Sequence, residues 1–305
     1  MSTGPRRDFL GYGRKLPQAQ WPGSARLALQ IVMNYEEGAE SSVDDGDASC
    51  EVLNCELVGA TPVAGRHLSI ESMYEYGSRA GFWRLMDLFE TRGLPITIFG
   101  VAMAMERNRE ATAAMVASGH EIACHGWRWI DYQAVPEDVE REHIRRATAT
   151  ITNLTGKAPV GWYTGRASVN TRRLVVEHGG FLYDSDSYAD DLPSWIEVGD
   201  QRHLVVPYAF DTNDMRFAMA GGFTNGTQFF EYLRDTFDVL YAEGAVAPKM
   251  MSVGLHCRLA GRPGRLAAIN RFLDHVAQHN DVWICRREDI ARHWIAAHGD
   301  AAKGA

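Results

Sequence analysis

The chain has few cysteines and no long apolar run. Its 305 residues include five cysteines, an odd number in which no pair shows the C-x-x-C spacing. A disulfide framework is therefore not expected, and reduced thiols favour a reducing compartment. No segment approaches the roughly 20 apolar residues that span a bilayer, and the first residues lack the apolar core of a signal peptide. We expect a cytoplasmic protein.

The chain also lacks an excess of basic residues. Its formal net charge is -8 and its pI is about 5.8. Nucleic acids and anionic membranes bind basic patches, and no run of basic residues is present. With 46% hydrophobic and 23% charged residues, the composition is that of an ordinary globular protein with a sizeable core. We expect a small-molecule substrate as the partner, with no nucleic acid and no membrane.

Short apolar segments alternate with helix-period segments along most of the chain, which is typical of a parallel sheet covered by helices. Eight strands are predicted, at Leu27–Met33, Ile96–Val101, Glu121–His125, Val160–Tyr163, Phe181–Asp184, His203–Pro207, Met251–His256 and Val282–Cys285. Seven helices are predicted among them, at Arg79–Arg92, Asn108–Ser118, Pro136–Thr155, Thr171–His178, Gln228–Glu243, Leu266–His279 and Glu288–Ala297. The pattern predicts an α/β fold, a distorted (β/α) barrel of seven to eight strands in a single domain over residues 1–305. Residues 38–70 and 186–202 break the alternation and are predicted to be irregular insertions.

Polar residues follow several of the predicted strands directly. Glu36 follows the first strand, His125 ends the third and His256 ends the seventh. Active sites of (β/α) barrels lie at the carboxyl ends of the strands, so we expect these side chains to share one face. A strand-end histidine is also often a packed core residue, and that alternative stays open for His125. The adjoining Cys124 and Cys257 are predicted to be small core residues and not nucleophiles.

The order of these motifs resembles a known family. The chain carries an acidic pair after the first strand, a Gly-His-Glu-Ile-x-x-His segment ending at His125, a motif at Gly161–Arg166, and a Leu-His pair ending at His256. Together they resemble the NodB-like polysaccharide deacetylases, carbohydrate esterase family 4, over nearly the whole chain. The strings at Asn34–Gly38, Ser72–Arg79, Gly161–Arg166 and Asp211–Asp214 are more specific and resemble the PuuE-type allantoinase branch. The resemblance implies a hydrolase that opens the hydantoin ring of allantoin to allantoate in purine breakdown.

The resemblance also implies roles for individual residues. Glu36 falls in the slot of the general base, Glu37 in that of a metal-binding carboxylate, His125 in that of the first metal histidine, and His256 in that of the acid. Because neighbouring strand residues face opposite ways, one of the two glutamates is expected to point into the site. Our hypothesis is that Glu37 raises the pKa of Glu36 by like-charge repulsion. Glu36 would then activate water and His256 would protonate the departing nitrogen, or the two would exchange roles.

Two positions depart from the family pattern. Trp129 stands where the family has its second metal histidine, and an indole N–H has no lone pair for a metal. Tyr163 stands where the family has the arginine that orients the base. One carboxylate and one imidazole leave most of a Zn²⁺ shell unfilled, so no cofactor is expected. Residual binding of a divalent ion through Glu37 and His125 stays open.

The remaining candidate residues are predicted to contact the substrate. His125 and Arg166 would polarise the ring carbonyl in place of the metal. The predicted substrate-binding set comprises residues at strand ends and in the loops that follow: Glu37, Trp129, Tyr163, Arg166, Asn213, Asp214 and Arg258. The resemblance further implies a homo-oligomer, with a tetramer as the suggested assembly and the two insertions as its expected contacts.

Other functions on the same fold stay open. One is a metal-dependent N-deacetylase acting on polysaccharide or peptidoglycan, against which the absent second histidine and absent export signal both count. Another is a cyclic imide hydrolase. A third, from a different class, is a carbohydrate-binding protein without catalysis, which would have no use for acidic and imidazole groups at several strand ends.

Overall fold

A computed structural model describes residues 7–299 of the chain. Its strands are β1 (Leu27–Tyr35), β2 (Thr97–Gly100), β3 (Glu121–Cys124), β4 (Gly161–Trp162), β5 (Tyr183–Asp184), β6 (Ser194–Val198), β7 (Gln201–Val205), β8 (Lys249–His256) and β9 (Val282–Ile284). They form one sheet in the order β6-β7-β5-β4-β3-β2-β1-β8, and β9 pairs with the start of β1. All pairings are parallel except that of β6 with β7.

Helices follow the strands and cover the sheet. They are α1 (Leu68–Tyr76), α2 (Phe82–Arg92), α3 (Ala102–Arg107), α4 (Arg109–Ala117), α5 (Glu137–Thr155), α6 (Thr171–His178), α7 (Gly226–Glu243), α8 (Cys257–Ala260), α9 (Pro263–Val276) and α10 (Arg287–His298). A π-helical turn, Gly77–Gly81, joins α1 to α2. In the part of the chain described here, no helix is both long enough and apolar enough to cross a membrane.

The predicted α/β architecture is confirmed. Each of the eight predicted strands is present, with ends shifted by a few residues, and the seven predicted helices correspond to α2, α4, α5, α6, α7, α9 and α10. The helices α1, α3 and α8 were not predicted. The helices α3 and α8 have six and four residues, and α1, with nine residues, buries only Ile70 and Tyr74, a single pair one turn apart. The single-domain span of 1–305 stays a prediction at its ends, because residues 1–6 and 300–305 lie outside the described residues.

The prediction that residues 186–202 form an irregular insertion is wrong for the second half of that segment. Strands β6 and β7 form an antiparallel hairpin there, with Ser194 paired to Val205 and Val198 paired to Gln201. The strand β6 is an edge strand whose residues stay partly exposed, so its sequence lacks the apolar run of a buried strand. Residues 38–70 are irregular as predicted, apart from a 3₁₀ turn at Val43–Asp45 and the first residues of α1.

The register of the sheet brings the strand ends to one rim. Asn34 of β1 pairs with His256 of β8, and Tyr35 pairs with Gly100 of β2. Both β1 and β8 are buried along their whole length, which fits their position at the centre of the fold. Because parallel strands share one direction, the residues that follow them lie on the same side of the sheet.

The barrel does not close by regular strand pairing. Within residues 7–299, β6 and β8 are the two edges of the sheet, and one isolated bridge, between Asn213 and Gly254, reaches β8 from the segment after β7. The five cysteines are buried and free, and Cys124 and Cys257 lie in the core as predicted.

Candidate active site

A cavity of about 330 Å³ opens at the carboxyl ends of the strands. Its inner part is lined by Glu36, His125 and His256 together with the amides Asn34 and Asn213. Its outer part is lined by apolar residues of two loops, Val52, Leu53, Val58, Ala60, Phe210, Met215, Ala218 and Met219. A small ring therefore meets charged and polar groups at the inner end and apolar side chains near the mouth.

Glu36 is the centre of the inner end. Its Oε1 atom lies 3.2 Å from Nε2 of His125 and 3.5 Å from Nε2 of His256. Its Oε2 atom accepts a 2.7 Å hydrogen bond from Nη2 of Arg258. The side chains of all four residues are at most 5% exposed. The structure thus brings together the three residues predicted to be catalytic, Glu36, His125 and His256.

The pKa of Glu36 is shifted in the direction opposite to our hypothesis. Burial favours the neutral carboxyl group, but the Arg258 guanidinium, His256 and His125 outweigh it and hold the pKa of Glu36 well below 4.5. It is the pKa of Glu37 that is raised, because burial and the charge of Glu36 outweigh the attraction of Arg258. Glu36 is therefore ionised near neutral pH, because the positive charges beside it outweigh the repulsion from Glu37.

His256 is held in place by Asp214. The Nδ1 atom of His256 lies 2.6 Å from Oδ1 of Asp214, and Oδ2 of Asp214 accepts hydrogen bonds from the backbone N–H groups of His256 and Ala260. Burial lowers the pKa of His256, but Glu36 and Asp214 outweigh it and raise that pKa to about 9. The imidazole is therefore protonated at neutral pH, and its Nε2–H faces the site.

His125 lies between two oxygen acceptors. Its Nδ1 atom is 3.1 Å from the carbonyl oxygen of Tyr163, and its Nε2 atom faces Glu36. Neither oxygen carries a proton, so each contact is a hydrogen bond only when the ring nitrogen that faces it is protonated. The ring packs against Tyr163 with centroids 4.9 Å apart.

The predicted substrate-binding residues divide into two groups. Trp129, Tyr163, Arg166 and Asn213 line the cavity. Arg166 lies over the ring of Trp129, but its Nη1 and Nη2 atoms bind Glu51 at 3.0 and 3.1 Å. Its terminal nitrogens are therefore already paired, which leaves Arg166 poorly placed to polarise a substrate carbonyl.

The other three predicted substrate contacts, Glu37, Asp214 and Arg258, do not line this cavity. Arg258 is 1% exposed and lies behind Glu36 and Glu37, 4.2 Å above the ring of Tyr74. Asp214 lies behind His256. Each binds a residue predicted to be catalytic, and Arg258 lies beside Glu36 as the family's arginine would, although we expected Tyr163 to have replaced that arginine. The order of motifs in the sequence does not reveal this arginine, because it comes from α8 and not from the segment after β4.

Sequence analysis also missed Tyr208, which lines the cavity beside Asn34 and Asn213. Tyr208 follows the predicted strand His203–Pro207 directly, so the strand-end rule that selected His125 could have found it. Asn34 belongs to a motif that the sequence singled out, but no role followed from that motif for its amide.

The donor set around Glu36 does not suit a tightly bound metal ion. Trp129 offers no lone pair, and both glutamates of the acidic pair are bound by the guanidinium of Arg258. Among the residues that the structure describes, one set of three potential ligands lies within 4.8 Å of one another, and it consists of Asp238, His275 and His279 at the surface. The positive charges beside the acidic pair are those of Arg258 and His256.

The chain belongs to the polysaccharide deacetylase family. Residues 65–179 match that family under its description as polysaccharide deacetylase. A protein of Schizosaccharomyces pombe named "Putative polysaccharide deacetylase" is 42% identical and covers 96% of this chain and 98% of its own length. The members of this family are hydrolases, and the chain is an enzyme of that class.

Two crystal structures agree with the fold over nearly the full chain. The structure titled as a probable polysaccharide deacetylase from Pseudomonas aeruginosa PAO1 has a TM-score of 0.95 at 58% identity and covers 96% of this chain and 99% of its own. The structure titled as Puue allantoinase has a TM-score of 0.95 at 56% identity and covers 96% of this chain and 98% of its own. Both confirm the deacetylase-like barrel.

Proposed function

We propose that this protein is an allantoinase that hydrolyses the hydantoin ring of allantoin to allantoate without a metal ion. The observation that carries the proposal is the pairing of an ionised Glu36 with a protonated His256, both beside Trp129 in one small cavity. The likeness to the Puue allantoinase structure supports the substrate. The function belongs to purine breakdown in the cytoplasm of the cell, and the assembly that we propose is a homo-oligomer of four chains.

The charges of the two groups assign their roles. The Glu36 carboxylate takes a proton from water as the water oxygen bonds to a ring carbonyl carbon, and the carbonyl electron pair moves to its oxygen. When this tetrahedral intermediate collapses, the C–N bond breaks and the nitrogen takes the Nε2 proton of His256. Glu36 ends with one proton more and His256 with one fewer, and transfer between them restores both.

The cavity also suits a flat, nitrogen-rich ring. Trp129 and Tyr163 present aromatic faces, and Asn34 and Asn213 present amides at the inner end. Arg166 supports the Trp129 ring from behind, with its guanidinium carbon 4.5 Å from the ring centroid. These side chains select the substrate by its shape and its hydrogen-bonding groups, while Glu36 and His256 perform the proton transfers.

A metal-dependent deacetylase is the second candidate, and the names of the Schizosaccharomyces pombe and Pseudomonas aeruginosa relatives favour it. The two candidates are separated by a substrate panel of allantoin, hydantoin, a dihydropyrimidine, succinimide and acetylated chitooligosaccharides. We expect turnover of allantoin and release of allantoate. Turnover of the acetylated sugars alone would assign the deacetylase function instead.

The variant Glu36→Gln tests the assignment of the base. Glutamine keeps the shape of the side chain but cannot accept the proton of water, so we expect allantoin turnover to fall by a factor of about 100 to 10,000. Glu75→Gln, an exposed carboxylate paired with Arg79, is the control and should keep the parental rate. Near-parental turnover by folded Glu36→Gln would refute the role of Glu36.

A further inference from the structure

The hydroxyl group of Tyr208 is contacted by two side-chain amides at the wall of the cavity. Its ring forms part of the cavity wall, edge-on to Phe99 and Tyr163 at centroid distances of 5.5 and 5.1 Å, and the residue is 3% exposed. The hydroxyl oxygen lies 3.2 Å from Nδ2 of Asn34 and 3.2 Å from Nδ2 of Asn213. Two side-chain amides from different segments therefore meet at one phenol oxygen.

The backbone fixes the orientation of both amides. Asn34 also places Nδ2 at 3.1 Å from the carbonyl oxygen of Leu255, which can only accept. Asn213 places Oδ1 at 2.8 Å from the backbone N–H of Met215, which can only donate. Turning either amide over would set oxygen against oxygen or N–H against N–H. Both amides consequently donate N–H to Tyr208.

The proton of Tyr208 must then point elsewhere. A phenol oxygen that accepts two hydrogen bonds has its O–H left as a donor. Within residues 7–299, no protein acceptor for this O–H accompanies the two amide donors. Burial raises the pKa of Tyr208, so the group keeps its proton at any working pH. The cavity shared with Glu36, His125 and His256 is therefore the place where this donor finds a partner.

A glycine in β8 leaves the space that this arrangement needs. Gly254 pairs with Asn213 across the gap in the barrel. A Cβ atom at Gly254 would overlap both the Asn213 amide and the Tyr208 hydroxyl. The absence of a side chain at this position is thus what allows the tyrosine and the asparagine to meet.

We propose that Tyr208 is a further catalytic residue, whose O–H donates a hydrogen bond to the oxyanion formed when water adds to the substrate carbonyl. This inference rests on the proposed function, because it requires a reaction at a cyclic amide carbonyl. No proton leaves Tyr208. The C–O bond to water forms, the carbonyl electron pair moves to oxygen, and that oxygen accepts the hydrogen bond while Glu36 holds the proton of water.

The two groups that sequence analysis chose for this task are already engaged. Arg166 binds Glu51, and both ring nitrogens of His125 face protein oxygens. In Arg166 the buried Nε–H is without a partner while both terminal nitrogens are engaged, whereas Tyr208 has its O–H left over while its acceptor sites are filled. A fixed donor needs no reorientation as charge develops on the oxyanion, which is the property that makes such groups effective.

The test compares Tyr208→Phe with Tyr183→Phe in the full-length protein. Tyr183 is also buried, and its hydroxyl donates to Glu121 at the start of β3, the end opposite His125, and does not line the cavity. Both variants lose one buried hydroxyl, so both should lower the melting temperature. We expect Tyr208→Phe alone to lower kcat for allantoin, by a factor of about 100 to 1000, with KM changed by less than a few fold.

Two outcomes would overturn the inference. An unchanged kcat in Tyr208→Phe would exclude preferential stabilisation of the transition state, and a rise in KM at constant kcat would show that Tyr208 binds the ground state and the transition state equally. If the wild-type protein hydrolyses allantoin, either result contradicts the role of Tyr208 but not the proposed function. If the wild-type protein hydrolyses neither allantoin nor any other cyclic amide of the panel, the proposed function and this inference both fall.

Discussion

Glu36 is a carboxylate that is almost fully withdrawn from water and yet ionised. Its two oxygens face Arg258, His125 and His256, and the cost of burying the charge is offset by these donors. A base with a low pKa accepts a proton weakly, so its effect depends on position more than on basicity. Substrate that displaces cationic contacts from Oε1 would raise the basicity of Glu36 at the moment it is needed.

The pH dependence of kcat/KM follows from His256. The acid works while it is protonated, so kcat/KM should be constant near neutral pH and fall as the pH passes about 9, the pKa to which Glu36 and Asp214 raise the imidazole. Asp214→Asn removes one of the two negative charges. The pKa of His256 should then fall, and the alkaline limb should move to lower pH.

The control for this measurement is Asp235→Asn, an exposed carboxylate on α7 paired with Arg234. Its profile should match that of the parent. An alkaline limb that stays in place in Asp214→Asn would show that His256 is not the acid, and activity that rises through pH 9 would show that it acts as the base.

Three residues at the inner end of the cavity were readable from the sequence, while Tyr208 was missed and the contacts of Arg258 and Asp214 were not foreseen. Glu36, His125 and His256 end strands, and strand ends converge in this fold. Arg258 of α8 binds Glu36 after β1, and Asp214, in the 3₁₀ turn Asp214–Ala218, binds His256 at the end of β8. No spacing in the sequence reveals these contacts. The error about the pKa of Glu36 has the same origin, because its cationic neighbour lies 222 positions away.

At the scale of elements, the helix α8 packs against the π-helical turn with almost no space between backbones. A Cβ atom at Gly81 would overlap the carbonyl oxygen of Cys257, and one at Gly77 would overlap Oε1 of Glu37. Glycine in this turn allows α8 to approach β1. That approach is what carries Arg258 to Glu36 and Glu37.

Gly81→Ala tests this contact. The added methyl group meets backbone that cannot rotate away, so we expect a loss of about 1 to 3 kcal/mol in the free energy of unfolding. Cys257 lies between His256 and Arg258, so kcat should also fall by at least about tenfold as both side chains are displaced. Gly65→Ala, where a Cβ atom meets open space, is the control for both measurements. A parental kcat in Gly81→Ala would show that the packing of α8 against the π-helical turn does not affect catalysis.

Buried strands were predictable, and the edge strand β6 and the helix α8 were not. The strands β1 and β8 are buried throughout and mostly apolar, and they were predicted within a few residues of their ends. The strand β6 is half-exposed, and the helix α8 has four residues, too few for a helical period. Such elements form because neighbours hold them, so their own residues carry little signal.

At the scale of the whole molecule, Arg287 spans the opening in the barrel. It is fully buried, and its guanidinium binds Gln30 and Ser252 on β1 and β8 and the carbonyl oxygens of Val206 and Pro207 after β7. These contacts join the two sides that strand pairing leaves apart. The guanidinium carbon of Arg287 also lies 5.5 Å from the ring centroid of Tyr208, which lines the cavity.

Arg287→Met should lower the free energy of unfolding by about 3 kcal/mol, because it leaves several buried acceptors without a donor. Arg292→Met is the matched control on the same helix. The side chain of Arg292 is 55% exposed and pairs with Glu288 at 3.3 Å, so its loss should cost less than about 1 kcal/mol. Chemical denaturation measures both, and equal losses would contradict the spanning role.

The homo-oligomer implied by the family resemblance stays a prediction.

The central claim is that this barrel hydrolyses a cyclic amide with its own side chains. The most direct test is the rate of allantoin hydrolysis by protein dialysed against a strong chelator, with elemental analysis of the same sample. We expect full activity, with allantoate as the product and metal far below one ion per chain. Absence of allantoate, or a rate that is lost on dialysis and returns with Zn²⁺ or Mn²⁺, would contradict it.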